Sequence, residues 1–310
     1  MMKVGSRLKS KLKGVFPGNF KNQKPESSKP YILQSFHSSV RGASHIKTEK
    51  GCQDYAISSS CGKYAVAIVC DGHGGERYIR SNIGSRIAAE TCMKAIIDFF
   101  ENQNIKSENE FGKKSEKVLT QLIANIIFRW REDTGKDFYS NPFTEAETAK
   151  LSPGDKSKLE GDGWIKAYGT TLIAVVRATD FWFGLHIGDG KCVVVSENGE
   201  FLEPIPWDDK CFMNTTTSLC DSDAIANFRY YFSNDDLPLA LFVGTDGIDD
   251  SFNGTQGLHS FYESLLKTIK AKGIEEGVKD LNEYLPKVSE KGSGDDVSVA
   301  GIVCSTIDNK

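Results

Sequence analysis

Acidic residues flanked by glycines stand at the ends of several apolar segments, and their type and spacing suit metal chemistry. Asp71 directly follows one apolar run, and Asp246 follows another with Thr245 between them. Asp189 lies between two glycines, and residues 295–296 immediately precede the last apolar run. In antiparallel sheets the end of one strand lies beside the beginning of its neighbour, so we expect these carboxylates to converge on one rim. Further candidates for the same rim are Asp54, Asp249 and Asp250.

A cleft that gathers several carboxylates implies bound cations, because the carboxylates otherwise repel each other strongly. Oxygen ligands without a cluster of histidine and cysteine favour Mg²⁺ or Mn²⁺ over Zn²⁺. Two such ions share a water, lower its pKa and direct it at a phosphorus atom, so the predicted chemistry is hydrolysis of a phosphate ester. The alternative is that each Asp-Gly pair is an ordinary turn, which suits any one pair but fits all of them together poorly.

The stretch 71–75 carries a histidine among three glycines, directly after seven uncharged residues at 64–70. An uncharged run of this length is typical of a strand buried on both faces. The glycines leave room around His73, which is two residues from Asp71, and we expect it to protonate the departing alkoxide as a general acid. The alternative is a tight turn in which Asp71 caps a helix beginning near residue 76 and His73 is merely exposed.

Charge divides the chain into a basic segment and an acidic body. Residues 1–30 hold eight basic residues and one acidic residue, whereas the whole chain has a net charge of −4. We expect residues 1–30 to be a disordered tail and residues 31–310 to form one domain with a large core. The acidic body disfavours nucleic acid as a partner and favours a pocket that holds cations.

The eight cysteines include no C-x-x-C pair, and several of them lie inside apolar, strand-like runs. This usage indicates reduced thiols and predicts a cytoplasmic protein. The chain has no apolar run of signal-peptide length near its start and no 18 consecutive apolar residues. We therefore expect no secretion signal and no transmembrane segment.

The hydrophobic pattern predicts strands and helices in segregated groups, which favours an α+β fold over a doubly wound parallel sheet. Residues 133–163 are expected to be a surface insertion, and residues 203–236 a long irregular flap beside the site. Short turns at 179–180 and 188–190 predict that the strands they join are antiparallel neighbours. The predicted strands are 31–40, 56–60, 63–70, 168–178, 181–187, 191–196, 237–244 and 297–304, and the predicted helices are 76–101, 108–131, 257–271 and 274–289.

Five short motifs follow one another along the chain, at 71–75, 168–171, 188–190, 245–247 and 294–296. Their order resembles that of the PP2C family of metal-dependent serine/threonine protein phosphatases. The resemblance covers residues 31–304, and His45 followed by residues 51–54, together with residues 214–216, looks like a bacterial branch of the family. It implies an αββα sandwich, in which two antiparallel sheets lie face to face with helices outside.

The same resemblance implies roles for the matching residues. Asp71 would bridge two metal ions, and Gly72 would contribute its carbonyl oxygen. His73 matches the general acid of the family. Asp189 and Asp250 match the acids of a third, looser ion. The other metal ligands implied are Asp54, Asp246 and Asp295.

Two positions depart from the family pattern. Gln53 stands where the family usually has a glutamate, so this position neutralises less metal charge. The family also has an arginine that holds the substrate phosphate, whereas this chain offers only His45 or Lys50 nearby. We take His45 as the predicted phosphate-binding residue.

The predicted protein is therefore a phosphoserine/phosphothreonine phosphatase that uses Mg²⁺ or Mn²⁺, acts on phosphorylated proteins and opposes a kinase. One alternative is a pseudophosphatase or regulatory binding module, which Gln53 and the missing arginine suggest. A binding module would not need all four of Asp71, His73, Asp246 and Asp295, which weighs against that alternative. A small-molecule phosphomonoesterase would use the same site and is the other alternative.

Overall fold

Two β-sheets lie face to face at the centre of the computed structural model, which describes residues 13–15, 31–102, 108–212 and 215–306. The strands among these residues are β1 (Lys13–Val15), β2 (Tyr31–Val40), β3 (Tyr55–Cys61), β4 (Tyr64–Cys70), β5 (Leu172–Ala178), β6 (Trp182–Ile187), β7 (Lys191–Val195), β8 (Phe201–Leu202), β9 (Arg229–Ser233), β10 (Ala240–Gly244) and β11 (Val297–Thr306). The α-helices among them are α1 (Ala43–Lys47), α2 (Ser81–Asn102), α3 (Glu108–Ser140), α4 (Glu145–Thr148), α5 (Pro153–Lys158), α6 (Ala224–Asn227), α7 (Asp246–Asp249), α8 (Gly254–Lys272) and α9 (Ile274–Lys291). A 3-10 helix covers Gly161–Tyr168.

Each sheet is covered by helices on its outer face. Sheet A has the strand order β1-β9-β6-β5-β4-β3, and sheet B has the order β2-β11-β10-β7-β8. Apart from β1, which runs parallel to β9, all pairings are antiparallel. One core lies between the sheets, a second lies between sheet A and helices α2 and α3, and a third lies between sheet B and helices α8 and α9. The predicted αββα sandwich is confirmed.

The burial of β4 shows why an uncharged run predicts a central strand. Val66, Ile68 and Cys70 pack in the core shared with α2 and α3. The alternating residues Ala65 and Ala67 face the core between the sheets. Both faces of the strand are therefore apolar, as a strand inside a layered sandwich requires.

Helix α2 begins at Ser81, later than the predicted start near residue 76. The chain before it is held in a non-helical path, because the backbone N–H of Arg80 donates to the carbonyl of Ala167 at 2.9 Å. Farther along, a Cβ on Gly84 would lie 1.9 Å from the carbonyl oxygen of Tyr168. The glycine thus lets α2 pack directly on the backbone that precedes β5.

The segment 133–163, expected to be a mostly irregular insertion, is largely helical. Helix α3 continues to Ser140, where Phe138 stacks on Trp164 with a ring separation of 4.9 Å. The carboxylate of Asp137 accepts a hydrogen bond from the Tyr168 hydroxyl at 2.6 Å. These contacts stabilise helix in a polar stretch whose local pattern does not predict it, as tertiary packing often does.

The segment 203–236 is irregular for much of its length but contains α6 and β9, which the sequence pattern did not predict. β9 extends sheet A beside β6. Its residues alternate, because Tyr230 and Phe232 enter the core under α2 and α3 while Tyr231 packs against the core between the sheets. Residues 229–233 are therefore a strand of sheet A rather than part of the predicted flap.

The turn at 188–190 joins strands of different sheets, so the prediction that it links antiparallel neighbours is wrong. β6 belongs to sheet A and β7 to sheet B. Gly188 has a φ of +112°, which favours glycine. A Cβ on Gly190 would lie 2.4 Å from the carbonyl oxygen of Gly244. The two glycines let the chain cross between the sheets and leave Asp189 at the crossing.

Within the predicted tail, only β1 is described, and it pairs in parallel with the strand Arg229–Ser233. The rest of residues 1–30 lies outside the described residues, as does Asn214 of the stretch 214–216. No helix in the described part of the chain is long and apolar enough to span a bilayer.

Candidate metal centre

Three carboxylates from separate parts of the chain meet at one end of the two sheets. Asp71 follows β4, Asp189 lies between β6 and β7, and Asp246 begins α7 directly after β10. Each offers a ligand oxygen within 4.8 Å of the other two. The structure therefore brings together three of the predicted ligands, and all three remain partly exposed.

The charges of this cluster are poorly compensated by the protein itself. Burial raises the pKa of Asp71 well above its usual range, and the charges of Asp246, Asp54 and Asp189 raise it further. Burial and the charge of Asp189 raise the pKa of Asp246 to about 7, although a hydrogen bond with Asp71 opposes this shift. Without a cation, full ionisation of the cluster is therefore disfavoured. An oxygen-only donor set that resists ionisation in this way fits a hard divalent cation.

The motif at 168–171 fixes the backbone of Asp71. The N–H of Asp71 donates to Thr171 Oγ1 at 3.1 Å, and the N–H of Thr171 donates back to the Asp71 carbonyl at 2.8 Å. Thr170 Oγ1 donates to the same carbonyl at 2.8 Å. Next to them, a Cβ on Gly72 would lie 2.5 Å from the carbonyl oxygen of Gln53, so this position requires glycine.

Asp189 and Asp250 extend the acidic rim beyond the pair of Asp71 and Asp246. Burial raises the pKa of Asp189, whereas a hydrogen bond from Thr216 opposes the shift. Asp250 is exposed, and its charge raises the pKa of both Asp189 and Asp246. Its side chain is thus close enough to the cluster to influence it while still facing solvent.

The two acids before β11 have different surroundings. The side chain of Asp295 is 55% exposed, and its charge raises the pKa of Asp246. Asp296 is buried and accepts hydrogen bonds from Gly42 N at 2.6 Å, Gln53 N at 2.6 Å and His45 Nδ1 at 2.9 Å. Sequence reasoning missed this role of Asp296, because its partners lie far away in the chain.

His45, the predicted phosphate-binding residue, is placed against these acids. Its Nδ1 lies 2.9 Å from Asp296 Oδ1, and its Nε2 lies 3.5 Å from Asp295 Oδ1. Both ring nitrogens therefore face carboxylates. The structure gives His45 acidic partners rather than an open position for an anionic substrate.

Asp54 lies beneath the cluster. It is buried and accepts a hydrogen bond from Thr245 Oγ1 at 2.7 Å. Burial and the charge of Asp296 raise its pKa well above the usual range. The group of three close carboxylates does not include Asp54, so its contacts indicate support for the Thr245–Asp246 corner.

Gln53 leaves one oxygen without a partner. Its Nε2 donates to the His73 carbonyl at 3.0 Å and to Ser81 Oγ. Its Oε1 is buried and has no hydrogen-bond partner among the described residues. A buried polar atom of this kind is usually satisfied by water or an ion. Gln53 therefore leaves one neutral oxygen that a water or an ion can satisfy, and it brings no charge.

His73 is closed into the protein. The backbone N–H of His73 donates to the Gly169 carbonyl at 3.1 Å, and the ring Nε2 lies 2.7 Å from Ser218 Oγ. The Ser218 hydroxyl also lies 3.1 Å from the Thr170 carbonyl, and the tautomer of His73 decides which of the two contacts receives the hydroxyl proton. Burial lowers the pKa of His73 to about 4, and the ring is neutral at neutral pH.

Lys50 is a cation beside the metal cluster. Its Nζ donates to the carbonyl of Gly74 at 2.9 Å. Burial lowers the pKa of Lys50, while the charges of Asp295, Asp296 and Asp71 oppose that shift. Lys50 thus stands within electrostatic reach of the acids, and its ammonium contacts the loop that carries His73.

A family model described as Protein phosphatase 2C matches residues 41–286. A search of curated proteins finds no match. Among solved structures, Stp1 from Staphylococcus aureus has a TM-score of 0.56 and 14% identity, covering 91% of this chain and 98% of that chain. The catalytic domain of PstP in complex with two manganese ions has a TM-score of 0.52 and 15% identity, covering 88% and 99%. PppA from Pseudomonas aeruginosa has a TM-score of 0.53 and 13% identity, covering 88% and 98%. At these identities the likeness shows a shared fold.

Proposed function

Because the chain belongs to the protein phosphatase 2C family, we propose that it hydrolyses phosphoserine and phosphothreonine in proteins at the cluster of Asp71, Asp189 and Asp246. The observation that carries this proposal is the meeting of three carboxylates within 4.8 Å, at one end of two sheets. Such a cluster is unfavourable without cations, because the charges of Asp189 and Asp246 raise the pKa of Asp71 and the charge of Asp189 raises the pKa of Asp246. It is well suited to holding cations at a substrate phosphate.

The cofactor in this proposal is Mg²⁺ or Mn²⁺. Asp71, Asp189 and Asp246 would hold two ions, with Gly72 and Asp295 completing the set. Asp250, with Asp189, would serve a third ion, and Asp54 would support the site from beneath. When bound, such ions polarise the phosphate and lower the pKa of the attacking water. The two manganese ions in the PstP structure support this choice.

The remaining roles fall to the residues around the cluster. Lys50, rather than His45, would hold the substrate phosphate, since its ammonium stands beside the acids while His45 faces two carboxylates. His73 would donate the proton to the leaving oxygen. Because burial lowers its pKa to about 4, the ring must first leave Ser218 and take up a proton from solvent before it meets the substrate.

A regulatory binding module with weak activity is the second candidate. The closed position of His73 and the neutral Gln53 favour it. The orphaned oxygen of Gln53 and the intact carboxylate cluster favour catalysis. The two candidates predict different turnover at the same metal occupancy.

The substrate is a phosphorylated protein, and a serine/threonine kinase that opposes the enzyme is the proposed partner. The phosphatase domain would occupy residues 31–310. All eight cysteines are free, which supports a cytoplasmic location.

The deciding experiment measures phosphate release from a phosphothreonine peptide by purified protein with Mn²⁺. We expect release that depends on the metal and is absent in Asp246→Asn. If the native protein binds Mn²⁺ but releases phosphate no faster than Asp246→Asn, the binding module is supported instead. Hydrolysis of sugar phosphates or nucleotides at higher kcat/KM than the peptide would identify a small-molecule phosphatase.

A further inference from the structure

Apart from the metal centre, a polar cavity lies beside the turn that carries Asp189. It has a volume of about 220 Å³, and residues of both sheets line it. Sheet A contributes His186 and Arg229, which are direct cross-strand partners of β6 and β9. Their side chains therefore emerge on the same face. Sheet B contributes Lys191 and Cys192, and the chain after β8 closes the opening with Trp207.

Three buried polar atoms that belong to residues lining this cavity have no hydrogen-bond partner in the described part of the chain. They are His186 Nε2, Arg229 Nε and Glu203 Oε1, the last of which lies 3.4 Å from His259 Nε2 outside the cavity lining. His186 and Arg229 are each only 3% exposed. Leaving such groups unpaired costs free energy, and native proteins normally satisfy them with water, an ion or a ligand.

The cations of the cavity are only partly compensated. Arg229 Nε lies 4.0 Å from Asp208 Oδ2, which is too long for a hydrogen bond. Asp208 is already engaged, since it accepts from Thr217 Oγ1 at 3.1 Å. Lys191 Nζ lies 3.4 Å from Glu203 Oε2. The lining thus has two cationic residues, Arg229 and Lys191, and one anionic residue, Glu203.

The opposite wall of the cavity is apolar. Ile205, Pro206 and the indole of Trp207 line it. Lys191 Nζ lies 4.3 Å from the centre of the Trp207 ring, so the ammonium stands where the apolar and cationic walls meet. A ligand matched to both walls has one anionic end and a short apolar body.

We propose that this cavity binds a small organic carboxylate, with its carboxylate on Arg229 and Lys191 and its carbon chain against Ile205 and Trp207. The volume limits the ligand to a few carbon atoms, since pockets for drug-sized molecules begin at roughly 300 Å³. The proposal does not depend on the phosphatase reaction.

The position of Arg229 connects this site to the metal centre. Its Nη2 donates to the carbonyl of Gly188, immediately before Asp189, and its Nη1 donates to the Pro206 carbonyl at 3.0 Å. Gly188 N donates to Thr217 Oγ1 at 3.1 Å. A ligand on Arg229 thus contacts the residue that fixes the turn carrying Asp189.

The test follows the His186 resonance by NMR in the full chain with Mg²⁺ and ¹³C-labelled histidine, while sodium butyrate is added. The resonance is assigned with His186→Gln. We expect a saturable shift with a Kd of roughly 1 mM or tighter, as a small ligand in a matched pocket allows. Sodium chloride at equal ionic strength and the neutral isostere butyramide should give no saturable shift. A linear response, or equal binding of butyramide, would overturn the proposal and leave a cavity that holds water only.

A matched pair of variants tests the contact. Arg229→Gln should weaken butyrate binding by about ten-fold or more, because it removes the charge-assisted donor. Arg177→Gln, which removes an equally buried arginine from the other end of the same sheet, should leave the Kd unchanged. Equal weakening in both folded variants would overturn the proposed contact. If Arg229→Gln does not fold, the comparison of butyrate with butyramide decides alone.

Discussion

Asp71 and Asp246 come from different sheets, and a carboxylate oxygen of each lies within 4.8 Å of the other at the rim where the sheets meet. Burial raises the pKa of both groups, and the charge of Asp246 raises the pKa of Asp71 further. A divalent cation at this rim would favour the ionised form of both carboxylates. This relation makes metal binding, stability and pH interdependent.

The first prediction concerns the stability of the chelator-treated protein. The pKa of Asp246 is raised from 3.8 to about 7, so between these values the folded protein binds more protons than the unfolded chain. The free energy of unfolding should thus fall as the pH rises from about 4 to 7, by a few kcal/mol at most. Urea unfolding across this pH range measures the slope. Asp246→Asn should flatten it, and an unchanged slope in the variant would contradict the pKa assignment.

The second prediction is that Asp71→Asn abolishes turnover without unfolding the protein. The change removes a ligand shared by the whole cluster and relieves repulsion among the remaining acids. Without metal the variant should be as stable as the native protein or more stable, within the roughly 1 kcal/mol typical of point changes. Calorimetry with and without Mn²⁺ should show a smaller metal-induced rise in Tm. An equal rise would place the metals elsewhere.

The third prediction separates acid catalysis from structure at His73. If this residue protonates the leaving oxygen, His73→Gln should lower kcat on a phosphothreonine peptide by roughly 10²-fold or more. An aryl phosphate should lose much less, because nitrophenolate leaves without a proton. Metal affinity should remain nearly unchanged.

Two other outcomes for His73→Gln have distinct meanings. Equal loss on both substrates together with weaker metal binding would show that the histidine holds its loop through Ser218 and Gly169. No change on either substrate would assign the proton to another donor.

The fourth prediction is that Lys50 recognises the phosphate group of the substrate. Lys50→Met should raise KM for a phosphopeptide by about ten-fold or more, because it removes a charged hydrogen-bond donor from beside the metal cluster. Lys47→Met is the matched control, since Lys47 is exposed on α1 and carries the same charge. Steady-state kinetics of both variants test this assignment. Equal effects would reduce it to a general effect of surface charge.

The hydrophobic pattern predicted the strands and helices whose own residues determine their burial. The run 64–70 has apolar residues on both faces, and the structure buries it between helices and the second sheet. The missed elements depend on distant contacts. Helix α3 continues to Ser140 because Phe138 meets Trp164, and neither residue reveals the other in the sequence.

The candidate site shows the same division. The Asp-Gly spacing indicated that Asp71, Asp189 and Asp246 would converge, because each stands at the end of a recognisable strand. The pattern could not distinguish Asp295 from Asp296, which are adjacent but differ in that one faces solvent and the other holds Gly42 and Gln53. That difference arises because Gly42 and Gln53, which are distant in the sequence, meet Asp296 only in the folded protein.

The crossing of the chain at 188–190 has a mechanical consequence. Asp71 is anchored in sheet A, Asp246 in sheet B, and Asp189 in the link between them. A cation bound by all three carboxylates would cross-link the two sheets. Sliding one sheet over the other would break its coordination, so metal binding should make the sandwich more resistant to shear between the sheets.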